Sequence, residues 1–145
     1  MRKIWFIGLL SGVLSLSGCT VYGVKNPPTL KSTTSAEQYQ RLFWGAVKAK
    51  NYQQLPGMLA ANVMYSAGGK VMDKEQTLAY LQGLSVSDFT ISGMVVKPNG
   101  PDMTLSYNLQ LPSTTGQTQT LEAIAVWQQV SSGWILTAYC EHPQS

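Results

Sequence analysis

A chain of 145 residues that is 44% hydrophobic and 12% charged can bury one core and is too short for two. Its formal charge of +3 owes much to Arg2 and Lys3, and no later cluster of Lys or Arg offers a phosphate-tracking surface, so nucleic acid is excluded as a partner. One histidine and two cysteines exclude a metal site built from those ligands, and nothing in the chain asks for another cofactor.

Arg2 and Lys3 precede an apolar run from Ile4 to Leu16, too short to cross a hydrocarbon core of roughly 30 Å as a helix. Small Ser17 and Gly18 follow, the slim side chains a signal peptidase accepts before the scissile bond. Leu16-Ser17-Gly18-Cys19 resembles the bacterial lipobox, which implies a signal peptide over residues 1–18, a cut between Gly18 and Cys19, and acylation of Cys19 by palmitate-type chains on sulfur and amino group. The other reading is an ordinary secretory leader with a chance cysteine. Thr20 stands where an Asp would hold an enteric lipoprotein in the inner membrane, so the resemblance implies the outer membrane, facing the periplasm. Loss of Arg2 and Lys3 leaves eight basic against seven acidic residues, a net charge of +1. Thr20 to Thr34, with Pro27-Pro28 and many polar residues, reads as a tether behind the lipidated cysteine, completing a 19–34 segment ahead of a domain over 35–145. With Cys19 carrying lipid, Cys140 has no partner for an intrachain disulfide.

Ser35 and Gln38 have capping-box spacing, and Tyr39, Leu42, Phe43, Ala46 and Val47 recur at helical intervals, predicting a first helix over about Ala36 to Lys50. Leu55, Met58 and Leu59 suggest a short second helix that begins near Leu55 or kinks at Pro56. Val63-Met64-Tyr65 reads as a brief strand before a Gly68-Gly69 turn. Asp73 with Gln76 repeats the capping pattern, Leu78 and Leu81 supply a buried stripe, and Gly83 is expected as a left-handed stop, giving a third helix over about Lys74 to Gln82.

Beyond Gly83 the period changes to two. Phe89, Ile91 and Val95 mark one strand, ended by Pro98-Asn99-Gly100-Pro101. Met103, Leu105, Tyr107, Leu109 and Leu111 alternate with polar residues along a one-sided strand. Ala123 to Trp127 is apolar on both faces, as expected of a strand covered from two sides. After Ser131-Ser132-Gly133, a last strand puts Trp134, Leu136, Ala138 and Cys140 on one face, with Ile135, Thr137 and Tyr139 on the other. Helices first and strands last predict an α+β class, with N-terminal helices packed on a curved antiparallel sheet.

Phe43-Trp44, Leu55, Leu59-Ala60-Ala61-Asn62-Val63-Met64-Tyr65, Gly68-Gly69 and Asp73-Lys74-Glu75, closed by Trp127 and Gly133-Trp134-Ile135-Leu136, resemble the nuclear transport factor 2-like superfamily over about residues 36 to 142. Within that superfamily the chain resembles the SnoaL-like group. The resemblance implies a cone-shaped domain, frequent dimers, and in its enzymes, such as the ketosteroid isomerases, an Asp base with a Tyr and a neutral carboxylic acid in an apolar pocket. This chain departs from it at Asn62, often Asp, and at Cys140, near a common His; Asn62 cannot act as a general base.

Among the acids, Glu37 and Glu75 lie in first helical turns, Asp73 is a cap and Asp102 follows a turn. Asp88, Glu122 and Glu141 are the carboxylates able to reach a cavity mouth, whereas His142 reads as a tail residue. Trp44, Tyr65, Tyr107, Trp127, Trp134 and Cys140 are the candidate pocket residues, either core packing or the wall of an apolar cavity, and no catalytic residue is assigned. Three functions follow as expectations. The first is an envelope lipoprotein whose non-catalytic domain binds a small hydrophobic ligand or another envelope protein. The second is a structural homodimer formed through the strand apolar on both faces. The third is an isomerase, cyclase or hydratase acting on a small hydrophobic substrate, which requires one of Asp88, Glu122 and Glu141 to be buried beside Tyr65 or Tyr107.

Overall fold

The computed structural model describes residues 33–145, with side chains from Ala36 onward, inside one compact unit, Lys31–Ser145. The signal peptide, the Gly18 to Cys19 cut, the lipidation of Cys19 and nearly all of the tether lie outside the described residues. Among those described, no helix is long and apolar enough to cross a membrane.

Helix α1 (Thr33–Lys48) begins before the expected cap, so Ser35 sits inside its first turn. Its buried face is Ala36, Gln40, Phe43, Trp44, Ala46 and Val47, so Phe43, Ala46 and Val47 of the expected stripe are inside, whereas Leu42 is 51% exposed. Gln40, a polar member of this face, is the one a reading by hydrophobicity leaves out. The helix stops in a Schellman arrangement: Asn51 N–H donates to Ala46 C=O at 2.9 Å, Lys50 N–H donates to Val47 C=O at 3.1 Å, and Lys50 takes φ 58°.

Helix α2 (Leu55–Met58) starts at Leu55 with Pro56 in its first turn, where the missing N–H is harmless. Leu59, expected in that helix, opens strand β1 (Leu59–Ala67) instead, which is three times the length of the predicted one. Gly68 and Gly69, at φ 58° and 77°, form the two-residue turn whose twist matches a hairpin, and β2 (Lys70–Met72) returns antiparallel to β1. That short strand was not foreseen. Helix α3 (Lys74–Gln82) has the expected capping box, Asp73 with Gln76, and buries Thr77 and Leu81, while Leu78 is half-buried. Gly83 ends it at φ −83°, a right-handed conformation rather than the expected left-handed one; its N–H bonds back to Ala79 and Tyr80 carbonyls, which closes the turn without a reversal of φ.

Strands β3 (Thr90–Asn99), β4 (Asp102–Pro112), β5 (Thr118–Val130) and β6 (Gly133–Pro143) complete a curved six-stranded sheet in the order β2-β1-β6-β5-β4-β3. Phe89 lies just before β3, and Pro98 and Asn99 belong to it, leaving Gly100-Pro101 as the turn. Proline is tolerated there because β3 is an edge strand. All neighbours pair antiparallel except β1 with β6, so the sheet is mixed. The chain leaves β1 for β2 and reaches β6 only after circling the far edge, and it arrives in the same direction. Helix α1 packs its buried face over β3, β4 and β6, and α3 packs on β1 and β2.

The decisive irregularity is in β6. Val126 faces Ala138 while the adjacent Trp127 faces Leu136, so Thr137 is an extra residue on β6, with its hydroxyl donating to Val126 C=O at 3.1 Å. A bulge reverses the alternation beyond it. Trp134 and Leu136 point inward as predicted, but past Thr137 it is Tyr139 and Glu141 that are buried, and Cys140 is exposed. The placement of Cys140 in the interior pocket is therefore corrected. On β5, Ala123, Ala125 and Trp127 are buried, but Ile124 is 49% exposed, so its second apolar face is left open among the described residues.

Candidate functional site

Five of the six candidate pocket residues are inside. Trp44, Tyr65 and Trp127 have no exposed surface, and Tyr107 and Trp134 have almost none. They pack against one another and against Phe43: Trp44 meets Phe43 edge-on at 5.4 Å, and Trp127 meets it at 6.4 Å. Trp127 Nε1 donates to Gln40 Oε1 at 2.8 Å, and Trp44 Nε1 donates to Tyr107 Oη at 3.2 Å. These two indoles belong to the core, each with its polar atom satisfied.

Polar chemistry gathers beside these rings in the same interior, where the bulge turns Glu141 inward. Glu141 is 7% exposed. Tyr139 Oη donates to its Oε2 at 2.6 Å, and Tyr80 Oη, from α3, donates to its Oε1 at 3.3 Å. Tyr65 stacks on Tyr139 with ring centres 4.3 Å apart and tilts over Tyr80 at 6.0 Å, while Trp44 meets Tyr139 edge-on at 6.2 Å. Tyr65 Oη is buried with no hydrogen-bond partner of good geometry, although the Tyr139 hydroxyl lies close enough to favour its ionisation slightly.

Burial governs the electrostatics of this cluster. It pushes the Glu141 carboxyl above the usual carboxylate range, a rise that the Tyr139 and Tyr80 hydroxyls partly oppose. Burial, followed by the nearby Glu141 charge, pushes Tyr80 up to about 12. Tyr65, Tyr107 and Tyr139 are also raised, each chiefly by burial. The tyrosines are therefore neutral donors over the physiological range, and Glu141 is the one group of the cluster able to change charge.

The other two carboxylates considered from sequence are on the surface. Asp88 is fully exposed and pairs with Lys48 at 3.0 Å, a hydrogen bond that lowers its carboxyl below the ordinary value. Glu122 is exposed and lies 3.0 Å from His142, so His142 is a partner rather than a free tail residue. Asn62 is exposed on β1. Among the described residues no group of three or more His, Cys, Asp or Glu could hold a metal ion. Tyr80 and Tyr139 were missed as site residues. Their spacing carries no motif, and the residue that aims Tyr139 inward, Thr137, is unremarkable as sequence.

Two surface clefts bear on function. One, of about 490 Å³, lies between α3 and the β1–β2 hairpin, lined by Ala67, Lys70, Met72, Gln76, Ala79 and Tyr80. Tyr80 is thus a wall shared by this cleft and the Glu141 cluster. The other, of about 230 Å³, lies on the outer sheet face among Met64, Val71, Ile124, Val126, Ala138 and Cys140, with Met64 and Val71 each 61% exposed.

The described architecture is that of the nuclear transport factor 2-like fold, and solved structures bear this out. A nuclear transport factor 2-like protein from Rhodospirillum rubrum, described as of unknown function in nutrient uptake, superposes with a TM-score of 0.68 at 20% identity, covering 75% of this chain and 98% of that one. One from Cytophaga hutchinsonii gives 0.70 at 12% identity, covering 79% and 100%. The CaMKII hub of S. rosetta gives 0.67 at 15% identity, covering 81% and 100%. At these identities the likeness is one of fold. No family model and no curated protein matches the sequence.

Proposed function

We propose that this protein is a lipid-anchored module of the bacterial cell envelope, a non-catalytic accessory domain that assembles through its outer sheet face, held by Cys19 on the outer membrane and facing the periplasm. The observation that carries the assembly is the exposure of Met64, Val71 and Ile124 around an apolar cleft on a sheet face that none of the described helices covers. A patch of this kind marks an interaction site, and the same patch on two copies can meet across a two-fold axis. The S. rosetta structure is a hub, a second indication that this fold supports assembly.

The anchoring rests on the Leu16-Ser17-Gly18-Cys19 motif and the short apolar run before it. Several acyl chains on one cysteine give the stable membrane attachment that a single chain lacks. Two experiments test the proposal. Metabolic labelling with a clickable palmitate analogue marks the wild type and not Cys19→Ser, which moves to the soluble fraction; an unlabelled wild type refutes the anchor. Light scattering finds a dimer or larger species that Ile124→Glu dissociates; a monomer at tens of micromolar refutes the assembly.

One observation favours a second reading, acid–base chemistry on a small hydrophobic substrate: Glu141 is buried beside Tyr65, carries a raised pKa and accepts a 2.6 Å hydrogen bond. An isomerase-type site needs an ionised base as well as a neutral acid, and with Asp88 and Glu122 on the surface the cluster supplies one carboxyl, not two. Turnover abolished by Glu141→Gln, with folding intact, would support this reading over the first.

A further inference from the structure

We infer that Glu141 anchors a binding site for a small organic ammonium ion, reached from the cleft between α3 and the β1–β2 hairpin by displacement of Tyr80. The inference goes beyond the assembly surface and does not depend on it.

A carboxylate in a protein interior is ordinarily paired with a cation, because desolvation of an uncompensated charge is expensive. Among the described residues no Lys, Arg or His pairs with Glu141. Lys74, the basic residue at the start of α3, is committed elsewhere, its Nζ donating to Leu59 C=O at 2.9 Å. Two phenols donate to Glu141, one to each oxygen, and an ionised carboxylate has about four lone-pair sites, so acceptor capacity remains on both oxygens.

The surroundings have the composition that recognises a cation. Tyr65, Tyr139 and Tyr80 bring three aromatic rings to the carboxylate, at mutual centre distances of 4.3 and 6.0 Å, and ring faces attract ammonium ions most strongly where water is excluded. The Tyr65 hydroxyl, near Tyr139 but with no hydrogen bond of good geometry, offers a further acceptor within the same cluster. A neutral apolar ligand would leave both this hydroxyl and the carboxylate uncompensated.

Access follows from Tyr80. It is half-buried, its bond to Glu141 is 3.3 Å against 2.6 Å for Tyr139, and its ring also walls the 490 Å³ cleft. The longer bond is the weaker one, so this phenol is the movable side of the cluster. Lys70 at the cleft disfavours a second positive charge and suits a ligand whose far end is neutral or anionic.

The test compares choline with 3,3-dimethylbutan-1-ol, its uncharged carbon isostere, by ¹H–¹⁵N chemical-shift titration of the full chain in non-ionic detergent at pH 8. Choline is expected to give saturable shifts at residues 65, 80, 139 and 141, with the isostere at least about tenfold weaker. Glu141→Gln is expected to weaken choline binding at least about tenfold, and Tyr80→Phe, which keeps the ring, to change it less than about threefold. Equal responses to the two probes, shifts that never saturate, or shifts confined to the surface acids Glu37, Glu75 and Asp88 overturn the inference. If Glu141→Gln does not fold, the comparison of the two probes on the wild type decides alone. An isostere that binds better than choline would favour the acid–base reading of Glu141 instead.

Discussion

Gln40 is a fully buried polar residue in the middle of an aromatic core, and its energetics can be worked out. Its Oε1 accepts from Trp127 Nε1 at 2.8 Å, and its Nε2 has no partner. Trp127→Phe removes the donor and orphans the carbonyl, at about 1 to 3 kcal/mol. The smaller ring leaves roughly 40 Å³ unfilled, adding about 1 kcal/mol at ~24 cal/mol per Å³. Gln40→Leu orphans the indole N–H instead, but also removes the unpartnered amide nitrogen, so its net cost is about 1 kcal/mol. The double variant has no polar group left to satisfy, and its cost is chiefly the ring volume, about 1 kcal/mol. The two single changes together should exceed the double by at least ~1 kcal/mol. Urea unfolding of all four proteins at pH 7, with the slope m unchanged, measures this coupling. Additivity within ~0.5 kcal/mol would refute the view that this one hydrogen bond is what makes Gln40 tolerable in the core.

Glu141 sets a pH dependence. Its folded-state pKa lies above the unfolded value, so the native state binds the proton more tightly, and the associated stability is complete below the unfolded pKa and lost as pH rises through the folded one. Relative to Glu141→Gln, the wild type should lose stability from about pH 4 upward, and a difference between the two that is flat with pH would contradict the burial of this acid. Lys50, at φ 58° in the C′ position of α1, should gain about 0.5 kcal/mol on Lys50→Gly, the relief of left-handed strain exceeding the added chain entropy; thermal unfolding reads the sign. Gly133 has φ 135°, and a Cβ there would overlap the Tyr39 hydroxyl, so Gly133→Ala should cost about 2 kcal/mol or more by chemical denaturation, with part of the loss recovered in a Tyr39→Ala background.

Much of the fold is written locally. Asp73 and Gln76 make their capping box from side chains three residues apart, and Gly68-Gly69 closes its hairpin because two consecutive residues tolerate positive φ. The alternation from Met103 to Leu111 survives intact in β4, since its ladder with β5 is unbroken and the register shift against β3 puts the extra residue on β3. Such features need only neighbours along the chain, and the order of helices before strands was enough to suggest the fold class. Leu42 and Gln40 show where that reading stops. Hydrophobicity put Leu42 in the buried stripe and left Gln40 out of it, yet Leu42 is exposed and Gln40 is buried, where Trp127, 87 residues away, supplies the donor it needs.

The candidate site depended on tertiary structure more heavily still. Aromatic residues able to fill an interior were legible, and Trp44, Tyr65, Tyr107, Trp127 and Trp134 are all buried. Which residues of β6 face them was not, because period-two alternation assumes an uninterrupted ladder. Thr137 is added against Val126, and from there on every side chain changes face. That single extra residue exposes Cys140 and turns Tyr139 and Glu141 inward, where α3 brings Tyr80 to meet them. A bulge arises from how two strands settle against each other, and no property of threonine announces it.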